Sequence, residues 1–136
     1  MAALTEDRNT PRRGDSLLVG DAIAASTILF AGGMYVLDST GAAKPAVAAD
    51  KKPVRAVATR QSTPVDEIVP GERAVFRFNN SAAAAAISRA DIGNNAFAAD
   101  DNTVAKTGSC IAGEIIDVDD VGVWVHVGKA AVPTTA

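Results

Sequence analysis

Along most of the chain, apolar residues recur at every second position in short runs separated by turn residues, the pattern of half-buried β-strands. Residues 73–78 (RAVFRF) show it most cleanly, with Ala74, Phe76 and Phe78 on one face and Arg73, Val75 and Arg77 on the other. Residues 27–30 (TILF) and 34–37 (MYVL) read as two strands around Ala31, Gly32 and Gly33, and the turn-rich Asp38 to Gly41 follows. A third candidate is 54–60 (VRAVATR). A short segment over 65–69 (VDEIV) then ends at Pro70 and Gly71, a strong turn signal. Beyond the turn chemistry of residues 91–95, strands are expected at 96–99 (AFAA), 103–107 (TVAKT), 111–118 (IAGEIIDV) and 123–127 (VWVHV).

One segment carries a helical signal. Alanine has the highest helix propensity, but the run Ala82 to Ala86 is too short to nucleate a stable helix alone. One helical turn or an ordered loop is expected there. Residues 1–20 are polar, carry Pro11, Gly14 and Gly20, and hold no sustained period, so they read as an extended arm. Residues 131–136 read as a loose tail. Between them, 21–130 forms one β domain. The expected fold is all-β: a small β-sandwich or jelly-roll-like barrel with an extended N-terminal arm.

The closing stretch IDVDDVGVWVHV (116–127) contains the densest candidate chemistry. Asp117, Asp119 and Gly122 fall at positions 1, 3 and 6 of a calcium-loop pattern, but Val121 and Gly128 occupy positions 5 and 12, where ligands are required. A hairpin explains it better. Residues 114–118 and 123–127 pair antiparallel across Asp119 to Gly122, whose glycine is free to take positive φ. Val123, Val125 and Val127 then face the core, with Trp124 and His126 on the opposite side. Trp124 either packs under a second layer or stands on the surface as an interface anchor.

Composition sharpens this picture. Hydrophobic residues make up 48% of the 136, but aromatics only 4%, so each buried side chain removes little apolar surface from water and association is an expected supplement to the core. Cys110 is the only cysteine and His126 the only histidine, which excludes an intrachain disulfide and a Cys/His zinc cage. No phosphate-binding loop or nucleophile-elbow motif occurs, so no enzyme activity, cofactor or metal is expected. A net charge of −3 argues against a nucleic-acid binder. Residues 44–60 are locally basic and 100–120 locally acidic, an arrangement that suits docking on a charged surface or on a sister chain. The apolar stretch 22–37 is too short and too polar to span a membrane, and no secretory signal precedes it. A soluble cytoplasmic product is expected.

Four segments, LTEDRNTPRR (4–13), AGGMYVLDSTGAAKPA (31–46), ADIGNNAFAADDNTVAKTG (90–108) and AGEIIDVDDVGVWVHVG (112–128), resemble in this order the small capsid cement, or decoration, proteins of tailed bacteriophages with Mu-like head genes. The resemblance implies a structural protein of the virion that binds the outer surface of an icosahedral shell, bridges major capsid subunits and stabilises the head. The partners it implies are the major capsid protein and the chain itself, as a homodimer or alternatively a trimer, with no nucleic acid and no membrane. Candidate contact residues are Arg8, Asn9, Thr10, Pro11, Arg12 and Arg13 in the arm, and Trp124 and His126 in the hairpin. The alternative is a β-sandwich module binding carbohydrate or a host surface, through exposed aromatics.

Overall fold

The computed structural model describes residue 3, residues 5–9 and residues 17–131. In chain order the strands are β1 (Leu18–Ala22), β2 (Met34–Leu37), β3 (Ala43–Pro45), β4 (Ala56–Ala58), β5 (Ile68–Glu72), β6 (Val75–Asn80), β7 (Asn95–Ala98), β8 (Thr103–Ala105), β9 (Ile111–Val118) and β10 (Val123–Val127). Single 3-10 turns occupy Pro64–Asp66, Ala83–Ala85 and Arg89–Asp91, the second being the one turn expected of the alanine run. Among the described residues no helix is long and apolar enough to cross a membrane.

The all-β expectation holds, in the form of two β units packed together. Strands β1-β5-β4-β2-β3 form a five-stranded antiparallel sheet, and β10-β6-β8-β7-β9 close into a barrel in which only β6 and β8 run parallel. An isolated parallel bridge between Ile23 and Ala43 brings the chain just after β1 to β3, so the first sheet curls on itself. Its concave face encloses Leu29, Tyr35, Ala43, Ala56, Ala58 and Val69. The opposite face supplies Met34, Val36, Val54 and Val57 to the main cluster, where they meet Phe78, Val104, Ile115, Val123, Val125 and Val127 of the barrel. Strand β2 is therefore buried on both faces, which explains why MYVL is a continuous apolar run rather than an alternating one. The backbone stitches the two units as well, through Val54 N–H donating to the Ile111 carbonyl at 2.8 Å.

Three local expectations are corrected. Residues 27–30 make no strand; only Leu29 pairs, through two bonds with Ser62 at 2.9 and 2.8 Å, while Ile28 and Phe30 on either side are exposed. The stretch expected as the end of the arm is instead strand β1, paired along its whole length with β5. Its LVGDA sequence holds a glycine and an aspartate, both weak strand formers, so local propensity understates what pairing stabilises.

Pro70 and Gly71 do not turn the chain but lie inside β5. The Pro70 carbonyl accepts from Thr59 N–H at 3.0 Å. In an antiparallel ladder a residue's nitrogen and carbonyl point the same way, so the donor that proline lacks faces the β4 side, just past the end of that three-residue strand. Gly71 is buried, and glycine is needed there because an added Cβ would collide with the Tyr35 hydroxyl. It is a close-approach glycine, not a turn glycine.

Cys110 is completely buried in the main cluster. Burial, reinforced by the nearby negative charge of Asp50, pushes its thiol up to about 11, so it is a protonated packing group at neutral pH.

Candidate partner-binding face

The outward wall of the barrel is built by β9, β10 and β6. Along β10 the alternation is complete: Val123, Val125 and Val127 are buried, and Trp124 and His126 are half-buried on the other face. Trp124 therefore points out of the barrel, away from the valine core. Its neighbours follow from register, since Trp124 lies opposite Arg77 on β6 and Asp117 on β9, and His126 opposite Val75 and Glu114. A bulge between Trp124 and Val125 leaves Ile116 without a partner on β10, and its side chain is exposed. The wall thus carries an aromatic ring, two exposed aliphatic side chains, and charges of both signs.

The hairpin holds Trp124 in one orientation. Asp119 Oδ1 accepts from the N–H groups of Val121 and Gly122 at 2.8 and 2.9 Å, and Oδ2 accepts from the indole Nε1–H of Trp124 at 2.9 Å. Arg77 places its guanidinium 5.5 Å from the centre of the indole ring, within cation–π range. Asp117 pairs with Arg89 at 2.9 Å, and Arg89 also donates to the Val118 carbonyl. Of the three carboxylates in this stretch, Asp117 and Asp119, the two that matched the calcium-loop pattern, are thus committed to fixing the hairpin, and among the described residues no group of three potential ligands converges. Asp120 alone makes no hydrogen bond or ion pair with a described residue.

Gly122 corrects a further expectation. Its φ is not positive; the glycine is required because a Cβ there would fall on the Phe78 carbonyl oxygen. Sequence reasoning also missed Arg77 and Arg89. Their only signal was the position of Arg77 on the outward face of RAVFRF, which becomes informative once β6 is known to pair with β10.

Hydrogen bonds from Trp124 and the loop N–H groups hold the Asp119 carboxyl below its ordinary range. Because the folded value lies below the unfolded one, near 3.9, the stabilisation is complete above that pH and is lost as pH falls through the lower folded value. The Trp124 indole N–H resonance should accordingly hold its position from neutral pH to about 4 and move below it. In Asp119→Ala it should sit at the displaced position throughout. A resonance in wild type that ignores acid would show that the bond is not formed in solution.

Of the residues expected to contact a partner, Trp124 and His126 share this wall. The His126 ring makes no hydrogen bond with a described residue and lines a hollow with Leu17, Arg73 and Lys129. Arg8 and Asn9 are exposed. Thr10, Pro11, Arg12 and Arg13 lie outside the described residues. The locally basic segment is largely satisfied within the chain: Lys44 pairs with Asp50 at 2.7 Å, Arg55 with Asp21 at 3.2 Å, and Lys52 donates to the Asp38 carbonyl at 2.9 Å.

The fold and this wall define a small all-β protein with a two-unit body and an outward face that carries half-buried Trp124 among aliphatic and charged side chains. Comparison with protein-family models, with curated proteins and with solved structures finds no match in any of the three.

Proposed function

We propose that this chain is a capsid decoration protein that binds the outside of an icosahedral phage shell and bridges its major capsid subunits. The four-segment sequence resemblance motivates the reading. The observation that carries it in the structure is Trp124, kept outside the core and locked by Asp119 and Arg77 on a strand wall with Val75 and Ile116 exposed beside it. A rigid aromatic anchor among apolar and charged neighbours is the composition of an interface hot spot, because little side-chain entropy is lost on docking. Repetition over a shell lattice multiplies modest single contacts into lasting attachment.

The purified chain should co-sediment with expanded heads in a saturable ratio and raise their resistance to heat. Trp124→Ala should weaken attachment by about 2 kcal/mol, roughly thirtyfold. Heads equally stable with and without the chain, and free of it after sedimentation, would sink the reading. The geometry weighs against the carbohydrate alternative: one face of the indole is covered by Arg77 and its N–H is spent on Asp119, whereas sugar stacking uses an open ring.

A further inference from the structure

Three hollows of about 230, 230 and 250 Å³ adjoin one another along the seam between the curled sheet and the barrel, sharing Pro53, Val54, Arg73, Gly128 and Lys129. Their linings include Lys51, Lys52, Arg55, Arg73 and Lys129 and no carboxylate, in a chain whose net charge is −3. Arg55 is neutralised from behind by Asp21, and Lys52 lies near Asp38. Arg73 spends one N–H on a neutral acceptor, the Gly128 carbonyl at 2.7 Å. Lys51 and Lys129 are exposed and make no side-chain hydrogen bond or ion pair with a described residue. The floor between these two lysines is apolar, formed by Pro53, Val54 and Ile111.

The complement of this groove is on the same molecule. At the tip of the β9–β10 hairpin Asp120 is the uncommitted carboxylate, and Val121 beside it is 64% exposed. Asp119 and Asp117 hold that tip rigid, so presenting it costs little order. Tip and groove lie at opposite ends of β10, five residues or roughly 15 Å apart at strand rise, so they cannot meet within one chain.

We infer that the seam groove receives the hairpin tip of a second copy, with Asp120 between Lys51 and Lys129 and Val121 on the Pro53–Val54–Ile111 floor. The contact is head-to-tail: each copy offers a tip at one end and a groove at the other. Its symmetry differs from that of a two-fold dimer, in which one patch meets itself. The inference does not depend on shell binding.

Sedimentation of the purified full chain tests it. Wild type should associate with rising concentration, more weakly as salt is added, because the contact is built on exposed charges. Lys51→Glu with Lys129→Glu, and separately Asp120→Lys, should each lower the association constant at least tenfold by setting like charges together. An equimolar mixture of the two variants should regain association, since each tip then faces a groove of opposite sign. Wild type that stays monomeric up to several hundred micromolar at low salt overturns the inference. So do variants that associate as wild type does, or a mixture that stays dissociated.

Discussion

Tyr35→Ala should cost about 3–5 kcal/mol of folding stability, the scale of a large buried aromatic removed from a core that cannot collapse. Tyr35 is fully buried, and the buried cluster around it combines Leu29 and Val69 with three alanines, Ala43, Ala56 and Ala58, whose methyl groups are too short to fill the space the ring would leave. The loss would be a large fraction of the roughly 5–15 kcal/mol that holds a domain of this kind together. Its hydroxyl also donates to Asp21 at 2.7 Å, where Arg55 completes a partly buried trio tying β1 to β2. Tyr35→Phe keeps the ring and removes that donor, so a loss of about 1–3 kcal/mol is expected. Urea unfolding at pH 7 measures both. A loss under about 1 kcal/mol for the alanine variant would show that the curled sheet is not organised around this ring.

The same residue predicts an alkaline limit. Burial, then the hydrogen bond to Asp21, then the negative charge of Asp21 raise the Tyr35 hydroxyl well above its ordinary value. A folded value above the unfolded one means that the stabilisation is complete below the unfolded value, near 10, and is lost as pH rises from there through the folded value. Wild type should lose stability above pH 10, and Tyr35→Phe should lose less over the same interval.

Gly122→Ala should destabilise the hairpin by about 3 kcal/mol, the upper range for an overpacked site. The obstacle is backbone: the new Cβ would fall on the Phe78 carbonyl oxygen, with Arg77 Cγ also within 3.1 Å, so the start of β10 must lift away from β6 where Val123 pairs with Phe78. Asp120→Ala next door touches nothing described and should change stability by less than about 0.5 kcal/mol. Thermal or urea unfolding of the two variants separates the cases. Equal effects would mean that the hairpin tip tolerates a side chain at Gly122 and that the close approach is not maintained in solution.

Much of the site was legible because its determinants are local. Alternation in VWVHV sorted the inward valines from Trp124 and His126, and the spacing of two β segments around Asp119 to Gly122 set the hairpin. The absence of ligand-bearing residues at Val121 and Gly128 redirected Asp117 and Asp119 from metal binding to a hairpin. Their actual partners were not legible. Arg77 and Arg89 reach the hairpin from β6 and from the turn before β7, and nothing in the local pattern of either segment points to the other.

The errors in the fold have a common origin. LVGDA and the Pro70–Gly71 pair look unlike strands when propensity is read residue by residue, yet each is held by a partner about fifty residues away or by a tyrosine arriving from another strand. Gly122 was correctly placed in the connection but for a different reason, since neither its φ nor the approach of Phe78 is written in its neighbours.

The amino-acid sequence by itself determined the all-β class, the inward and outward faces of the longest strands, and the final hairpin with its acidic tip. Period and turn chemistry act over a few residues and need no knowledge of the rest of the chain. Only the tertiary structure decided that one sheet curls while the other closes through a parallel β6–β8 pair. It also decided that Trp124 stands outside under Arg77, and that three lysines and two arginines separated by up to 78 positions line one seam with no carboxylate in that lining. Those outcomes depend on which distant segments pair. Burial and backbone hydrogen bonding select that pairing cooperatively, and no local pattern encodes it.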